Sequence, residues 1–214
     1  MAELADQDRL RALLLTLEAA WRRLGFQVSE YLLPGLPEEE IWEWFGEAGL
    51  SPSSEALTWW EWHGDYDSAR GWRYPVPPTA LGFMSIAEAI SEHQFISGLF
   101  PELTGLERLI PVASIDRYHL WMHLDVPAGA ASPLRAFHLE SADDDLNYVI
   151  APSLAWLVDR WVKVLDSGLC TTENGWQPIV APLDVQDKLG YSGPWFGERK
   201  LDPLRHDPPP MEIE

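Results

Sequence analysis

LIPVASIDRYHLWMHLDV (residues 109–126) is the stretch that decides the fold of this chain. It opens with a short, largely apolar run, and the polar pair Asp116-Arg117 then marks a turn. Beyond the turn the residues alternate as in a strand, because successive strand side chains face opposite sides of a sheet. One side carries Tyr118, Leu120, Met122 and Leu124, and the other carries His119, Trp121, His123 and Asp125. The stretch therefore predicts two consecutive strands.

The segments that follow extend this core to residue 165. PAGAASP (residues 127–133) interrupts the chain, and LRAFHLE (residues 134–140) predicts a third strand. APSLAWLVDRWVKVLDSG (residues 151–168) then predicts an amphipathic helix, capped by Ser153 and ended by Gly168. Its apolar face consists of Leu154, Leu157, Val158, Trp161, Val162 and Leu165. A meander covered by one helix is a small α+β core.

Two helices are predicted near the N-terminus. The apolar face of the first consists of Leu10, Leu13, Leu14, Leu17, Trp21 and Leu24, and Gly25 ends it. GLPEEEIWEWFGEAG (residues 35–49) predicts the second, with an inward stripe of Ile41, Trp44, Phe45 and Ala48. Glu38, Glu39 and Glu40 lie at the positive end of its dipole. We prefer that explanation of the acidic triplet to a binding role.

Two further helices have clear start signals. SPSSEALTWWEWHG (residues 51–64) predicts a helix capped by Ser51 or Ser53 and ending at Gly64. SIAE (residues 85–88) is a capping box, in which a serine and a glutamate satisfy each other's backbone N–H groups. It predicts a helix that runs to about Gly98. DYDSARGWRYPVPP (residues 65–78) is rich in turn residues and predicts an irregular loop between these helices.

The charge of the chain restricts its partners. Among 214 residues, 34 are acidic and 15 are basic, so the formal net charge is −19 at pH 7. Phosphate backbones and anionic membrane surfaces repel such a polyanion, whereas a basic protein complements it. The alternative is that the charge serves solubility alone. The 12 Trp residues allow both a core role and a role as interface anchors.

Localisation is predicted from three features of the sequence. Cys170 is the single cysteine, which excludes an internal disulfide framework and fits a reducing compartment. The N-terminal MAELADQDRL is acidic where a secretory signal is basic. The chain has no run of about 20 apolar residues, the length that spans a bilayer. We expect a cytoplasmic protein with no membrane partner.

Five motifs, in this order, resemble the SUKH superfamily, which contains fungal Smi/Knr cell-wall assembly regulators and many bacterial toxin-immunity proteins. They are LLPGLPEEEI (residues 32–41), the helix pair ending in WEWHGDYD (residues 60–67), FMSIAEAI (residues 83–90), LIPVASI with YHLWMHLDV, and VIAPSLAWLVDRWVKVLDSG (residues 149–168). The resemblance covers about residues 31–168. It implies an α+β domain that binds other proteins, with a mixed, largely antiparallel sheet flanked by helices. The family has no common catalytic set.

The same resemblance sets the expected domain organisation. Residues 1–200 are expected to form a single SUKH-like domain, with the N-terminal helix and a C-terminal extension added to the core. Residues 201–214, LDPLRHDPPPMEIE, are predicted to be a flexible, Pro-rich acidic tail.

The residues give little support to a metal site or an enzyme. His119, His123, Asp125 and His138 could suggest zinc, but the two histidines four residues apart on one strand lie about 13 Å from each other. Asp143, Asp144 and Asp145 lack the spacing of a calcium loop. His63, Asp65 and Asp67 resemble part of a hydrolytic site without a nucleophile motif, and a turn explains them. We expect no catalytic residues, no cofactor and no metal.

Acidic and aromatic residues lie together in the predicted loops. One loop carries Asp65, Tyr66, Asp67, Trp72 and Tyr74, and the other carries Asp143, Asp144 and Asp145. Such loops combine electrostatic steering with anchoring burial, so they are candidate partner-binding residues. The alternative is that the aromatic residues only pin the loop to the core.

Two functions are preferred at this point to a third class, a metal-dependent hydrolase. The resemblance and the charge favour an immunity protein that neutralises a cognate bacterial toxin, such as a basic nuclease, by stoichiometric occlusion. The second is a regulatory or scaffolding module that binds several endogenous proteins.

Overall fold

A five-stranded antiparallel sheet lies at the centre of the fold. The computed structural model describes residues 3–66, 76–79, 81–101, 105–115, 118–138, 149–167, 170–173 and 177–180. In these ranges the helices are α1 (Glu3–Leu24), α2 (Glu38–Glu47), α3 (Ser54–Trp62), α4 (Ile86–Leu99) and α5 (Leu154–Asp166). The strands are β1 (Leu32–Pro34), β2 (His63–Tyr66), β3 (Gly82–Phe83), β4 (Leu109–Ile115), β5 (Tyr118–His123), β6 (Leu134–His138), β7 (Val149–Ala151), β8 (Cys170–Glu173) and β9 (Gln177–Val180).

The predicted meander forms the middle of this sheet. The strand order is β3-β4-β5-β6-β7, and each neighbouring pair is antiparallel. β4 and β5 pair from Leu109 opposite His123 to Ile115 opposite Tyr118, with an irregularity between Pro111 and Ala113. The α+β class, with helices flanking a largely antiparallel sheet, is confirmed. All strand pairs in the described ranges are antiparallel.

Alternate residues of β5 enter two different hydrophobic clusters. Leu120 and Met122 belong to the main core, together with buried residues of all five helices. Trp121, on the opposite side of the strand, packs in a smaller cluster with Phe137 and Ile96. Both sides of β5 are therefore covered, which is why His119 on the predicted polar side is buried as well.

Side chains cap three of the helices as the sequence predicts. Ser53, rather than Ser51, caps α3 by accepting a hydrogen bond from the Ala56 N–H. Ser85 and Glu88 form the complete capping box of α4, and Ser153 caps α5. In the described ranges, no α-helix combines the length and the apolar character needed to cross a bilayer.

A two-stranded sheet outside the central one joins β1 to β2. β1 and β2 are antiparallel, with Leu32 opposite Tyr66 and Pro34 opposite His63. Glycines permit the close approach of the backbones here. A Cβ on Gly35 would lie 1.7 Å from the carbonyl oxygen of Glu61, and one on Gly64 would lie 2.7 Å from that of Pro34.

Gly35→Ala should therefore destabilise the fold. The added methyl group would overlap a backbone oxygen, so we expect a loss near the upper end of the roughly 1–3 kcal/mol typical of overpacking. The matched control is Gly46→Ala in α2, where a Cβ meets nothing within 4 Å. That change should stabilise by about 0.5–1 kcal/mol, because alanine is the better helix former. Urea unfolding measures the change in the free energy of unfolding of both variants. The two changes should have opposite signs, and equal changes would contradict the prediction.

Candidate functional site

Most of the predicted partner-binding residues lie outside the described part of the chain. Those are Asp67, Trp72, Tyr74, Asp143, Asp144 and Asp145. Asp65 and the backbone of Tyr66 are described, and they do not lie in an irregular loop as predicted. Both belong to strand β2 and pair with β1. The reason is that α3 passes directly into extended backbone at His63, and Gly64 lets β2 approach Pro34.

The residues weighed for zinc already have protein partners where they are described. His119 Nε2 lies 3.2 Å from a carboxylate oxygen of Glu92, and Asp125 pairs with Arg108 at 3.1 Å. The Arg135 Nε–H donates to His123 Nε2 at 2.8 Å. Burial and then the charge of Arg135 lower the pKa of His123 to about 4. Among the described residues, no group of three or more His, Cys, Asp or Glu could hold a metal ion.

His63 is enclosed by aromatic rings and cannot act at the surface. Its side chain is 1% exposed, and its ring lies 4.8 Å from that of Trp59 and 5.3 Å from that of Phe83. Among the residues that the structure describes, neither ring nitrogen has a hydrogen-bond partner. Burial lowers the pKa of His63 to about 3, so the imidazole is neutral at ordinary pH. Asp65, by contrast, is exposed.

The acidic surface that the structure does describe is the outer face of α2. This helix has the sequence EEEIWEWFGE, with five glutamates and no basic residue. At about 100° per residue, Glu39, Glu43, Glu47 and Glu40 fall within a sector of roughly 100°. These four residues, with Pro37 and Trp44, line an open depression of about 510 Å³. We call Glu39, Glu40, Glu43 and Glu47 the acidic stripe.

Helix stability explains only some of the glutamates in the acidic stripe. Acidic residues in the first turn interact favourably with the helix dipole, which accounts for Glu39 and Glu40. Glu47 lies at the negative end of the dipole, where an acidic side chain is unfavourable. Glu39, Glu43 and Glu47 also follow one another at i, i+4 spacing, and each like-charge pair destabilises a helix by about 0.2–0.5 kcal/mol. A basic binding partner would relieve this repulsion.

Two exposed tryptophans flank the acidic stripe. Trp42 is 45% exposed and Trp44 is 36% exposed. On the helix they lie roughly 60° beyond one edge of the stripe and 40° beyond the other. The prediction that Trp44 faces inward is wrong, because α2 packs mainly through Ile41 and Phe45, which are fully buried. Large aromatic side chains beside charge are typical of interface anchors.

Trp42 also lines a second depression, an open groove of about 450 Å³. One side of this groove comes from residues 49–54 and Leu57, and the other from Glu107, Arg108 and residues 124–128. The acidic stripe and this groove are therefore adjoining surfaces that share α2.

By its fold and surface, the protein is an α+β domain with an acidic helix that exposed tryptophans flank. No family model matches the chain, and no curated protein does. Sequence reasoning assigned Glu38, Glu39 and Glu40 to the helix start and missed the surface. Glu43 and Glu47 could have indicated this acidic surface from the sequence, because an interaction with the helix dipole does not explain them.

Proposed function

We propose that this protein is a non-catalytic binding domain whose α2 face binds a basic protein. The observation that carries the proposal is the acidic stripe with Trp42 and Trp44 beside it. The negative charge raises the rate of encounter with a basic surface, and the tryptophans supply the apolar area that holds it. The net charge of −19 acts in the same direction.

Immunity to a toxin is the specific function that we propose for this binding. The SUKH resemblance supports it, and so does the complementarity between an acidic helix and a basic toxin such as a nuclease. Neutralisation would proceed by stoichiometric occlusion of the toxin surface, without turnover. The alternative is a regulatory or scaffolding module. Such a module would bind several proteins at low stoichiometry, whereas an immunity protein would bind one cognate toxin.

A pull-down with three forms of the protein tests the proposal. The first is the wild type, and the second, the acidic-stripe variant, carries Glu39→Gln, Glu43→Gln and Glu47→Gln. The control carries Asp8→Asn, Glu30→Gln and Asp166→Asn, which remove three exposed carboxylates from other elements. Glutamine retains helix propensity, and the loss of like-charge repulsion offsets the lost dipole interaction of Glu39, so the acidic-stripe variant should be about as stable as the wild type. A loss of binding would then not reflect unfolding.

Each form is incubated with lysate of the source organism at low and high salt, and the retained proteins are identified by mass spectrometry. We expect one basic, near-stoichiometric partner that the wild type and the control retain and the acidic-stripe variant loses. Several substoichiometric partners would favour the regulatory function instead. Equal retention by all three forms would show that the α2 face is not the binding surface.

A further inference from the structure

The groove beside α2 combines an apolar lining with carboxylates. Its apolar lining includes Trp42, Leu50, Leu57 and Val126, and its charged residues are Glu107, Arg108 and Asp125. Its volume of about 450 Å³ is sufficient for a long side chain and its neighbouring backbone. The two carboxylates and one guanidinium leave the groove with one net negative charge.

A guanidinium already interacts with these carboxylates. Arg108 lies 3.1 Å from Asp125 and 3.4 Å from Glu107. All three side chains are more than half exposed. Ion pairs between such exposed groups contribute only about 0–1 kcal/mol, so an incoming cation displaces or joins Arg108 at little cost.

We infer that this groove binds an arginine side chain of the basic partner, with its stem on Trp42, Leu50 and Leu57 and its guanidinium at Asp125. The inference rests on the proposed function for the source of the arginine. Trp42, shared with the α2 face, places the groove at the edge of that surface.

Two features favour arginine over lysine. A planar guanidinium pairs with a carboxylate through two parallel N–H groups and also stacks on aromatic rings, whereas an ammonium is a compact, strongly hydrated charge. Trp42 and Asp125 offer both kinds of contact in one groove. The protein itself shows the stacking geometry elsewhere, where the Arg160 guanidinium carbon lies 4.1 Å from the centre of the Trp156 ring.

Peptide titrations of the full chain test the groove without the partner. The probes are acetyl-Gly-Arg-Gly-amide, its lysine analogue and its glutamine analogue, at low ionic strength. Binding is followed by NMR through the indole N–H signal of Trp42, assigned with the Trp42→Phe variant. Asp125→Asn removes the carboxylate, and Arg108→Gln removes the resident cation. The matched control is Asp166→Asn, which removes another exposed carboxylate that is paired with an arginine, Arg23.

We expect the arginine peptide to shift the Trp42 signal more strongly than the lysine peptide, and the glutamine peptide to leave it unchanged. Asp125→Asn should weaken binding about three- to tenfold, Arg108→Gln should strengthen it about two- to fivefold, and Asp166→Asn should not change it. Equal binding of the lysine peptide, or an Asp125→Asn effect no larger than the control's, would overturn the inference. Neither result would affect the proposal that the α2 face binds a basic protein, because the acidic-stripe variant tests that proposal separately.

Discussion

Glu55→Ala should destabilise the protein by about 3–5 kcal/mol, because buried backbone donors left without an acceptor cost roughly 1–3 kcal/mol each. Glu55 is 3% exposed, although it carries a carboxylate. Its oxygens accept hydrogen bonds from the backbone N–H groups of Ser132 at 2.8 Å, Leu154 at 3.1 Å and Ala155 at 2.9 Å. Leu154 and Ala155 open α5, so one side chain joins α3 to the start of α5 and to the segment before β6. Its removal leaves three buried donors unpaired.

Urea unfolding followed by circular dichroism measures this loss. Glu61→Ala is the matched control, since Glu61 lies on the same helix but forms a partly exposed ion pair with Arg11 at 2.7 Å. Exposed pairs contribute at most about 1 kcal/mol. Glu55→Gln keeps the shape of the side chain, so its loss of stability should lie between the losses in Glu55→Ala and Glu61→Ala. This variant still measures the role of Glu55 if Glu55→Ala does not fold. A loss in Glu55→Ala no greater than in Glu61→Ala would contradict the role of this carboxylate.

His63 should make the stability of the protein fall at acidic pH. Burial lowers its folded-state pKa from 6.5 to about 3, so between these values the unfolded chain takes up a proton that the folded chain does not. The stabilisation is complete above pH 6.5 and decreases by about 1.4 kcal/mol per pH unit as the pH falls through that window. Over the whole window the loss is on the order of 5 kcal/mol.

His63→Phe isolates this contribution. Phenylalanine keeps an aromatic ring beside Trp59 and Phe83, and it removes two nitrogens that have no hydrogen-bond partner in the described part of the chain. Any packing difference shifts its stability by the same amount at every pH, so the slope is the informative quantity. Between pH 6.5 and 4.5, we expect the free energy of unfolding of the wild type to fall by about 2 kcal/mol more than that of the variant. His63→Leu serves as a second variant, and parallel curves would show that His63 does not titrate in this way.

The elements that could be predicted from the sequence are those with a periodic pattern over many residues or with a capping signal. The apolar face of α5 and the alternation in β5 are such cases, and the capping box at Ser85 and Glu88 is another. These patterns are local, and the buried contacts agree with them, so helix and strand type follow directly from the residues.

The short strands were missed because two to four residues carry no readable period. β1 contains a proline and β2 a glycine, both of which are turn signals in sequence, yet the two segments pair although residues 35–62 separate them. The hairpin of β8 and β9 did have a signal, Asn174-Gly175, which favours a tight hairpin turn.

The acidic stripe shows a different limit of sequence reasoning. Its glutamates could be read from the sequence, but the exposure of Trp44 depends on how α2 packs against its neighbours. Phe45 lies against Trp60 of α3 with their rings 5.5 Å apart, and this contact turns Trp44 outward. Such a rotation is decided by tertiary packing, which a helical pattern of ten residues does not fix.

The central claim, that the α2 face binds a basic protein, is tested most directly by the salt dependence of affinity. The partner retained in the pull-down is titrated calorimetrically with the wild type, the acidic-stripe variant and the control at several salt concentrations. We expect the acidic-stripe variant to bind at least about tenfold more weakly at low salt, a change of about 1.4 kcal/mol, and to lose most of the salt dependence. The control should resemble the wild type. Equal affinity and equal salt dependence of all three forms would contradict the claim.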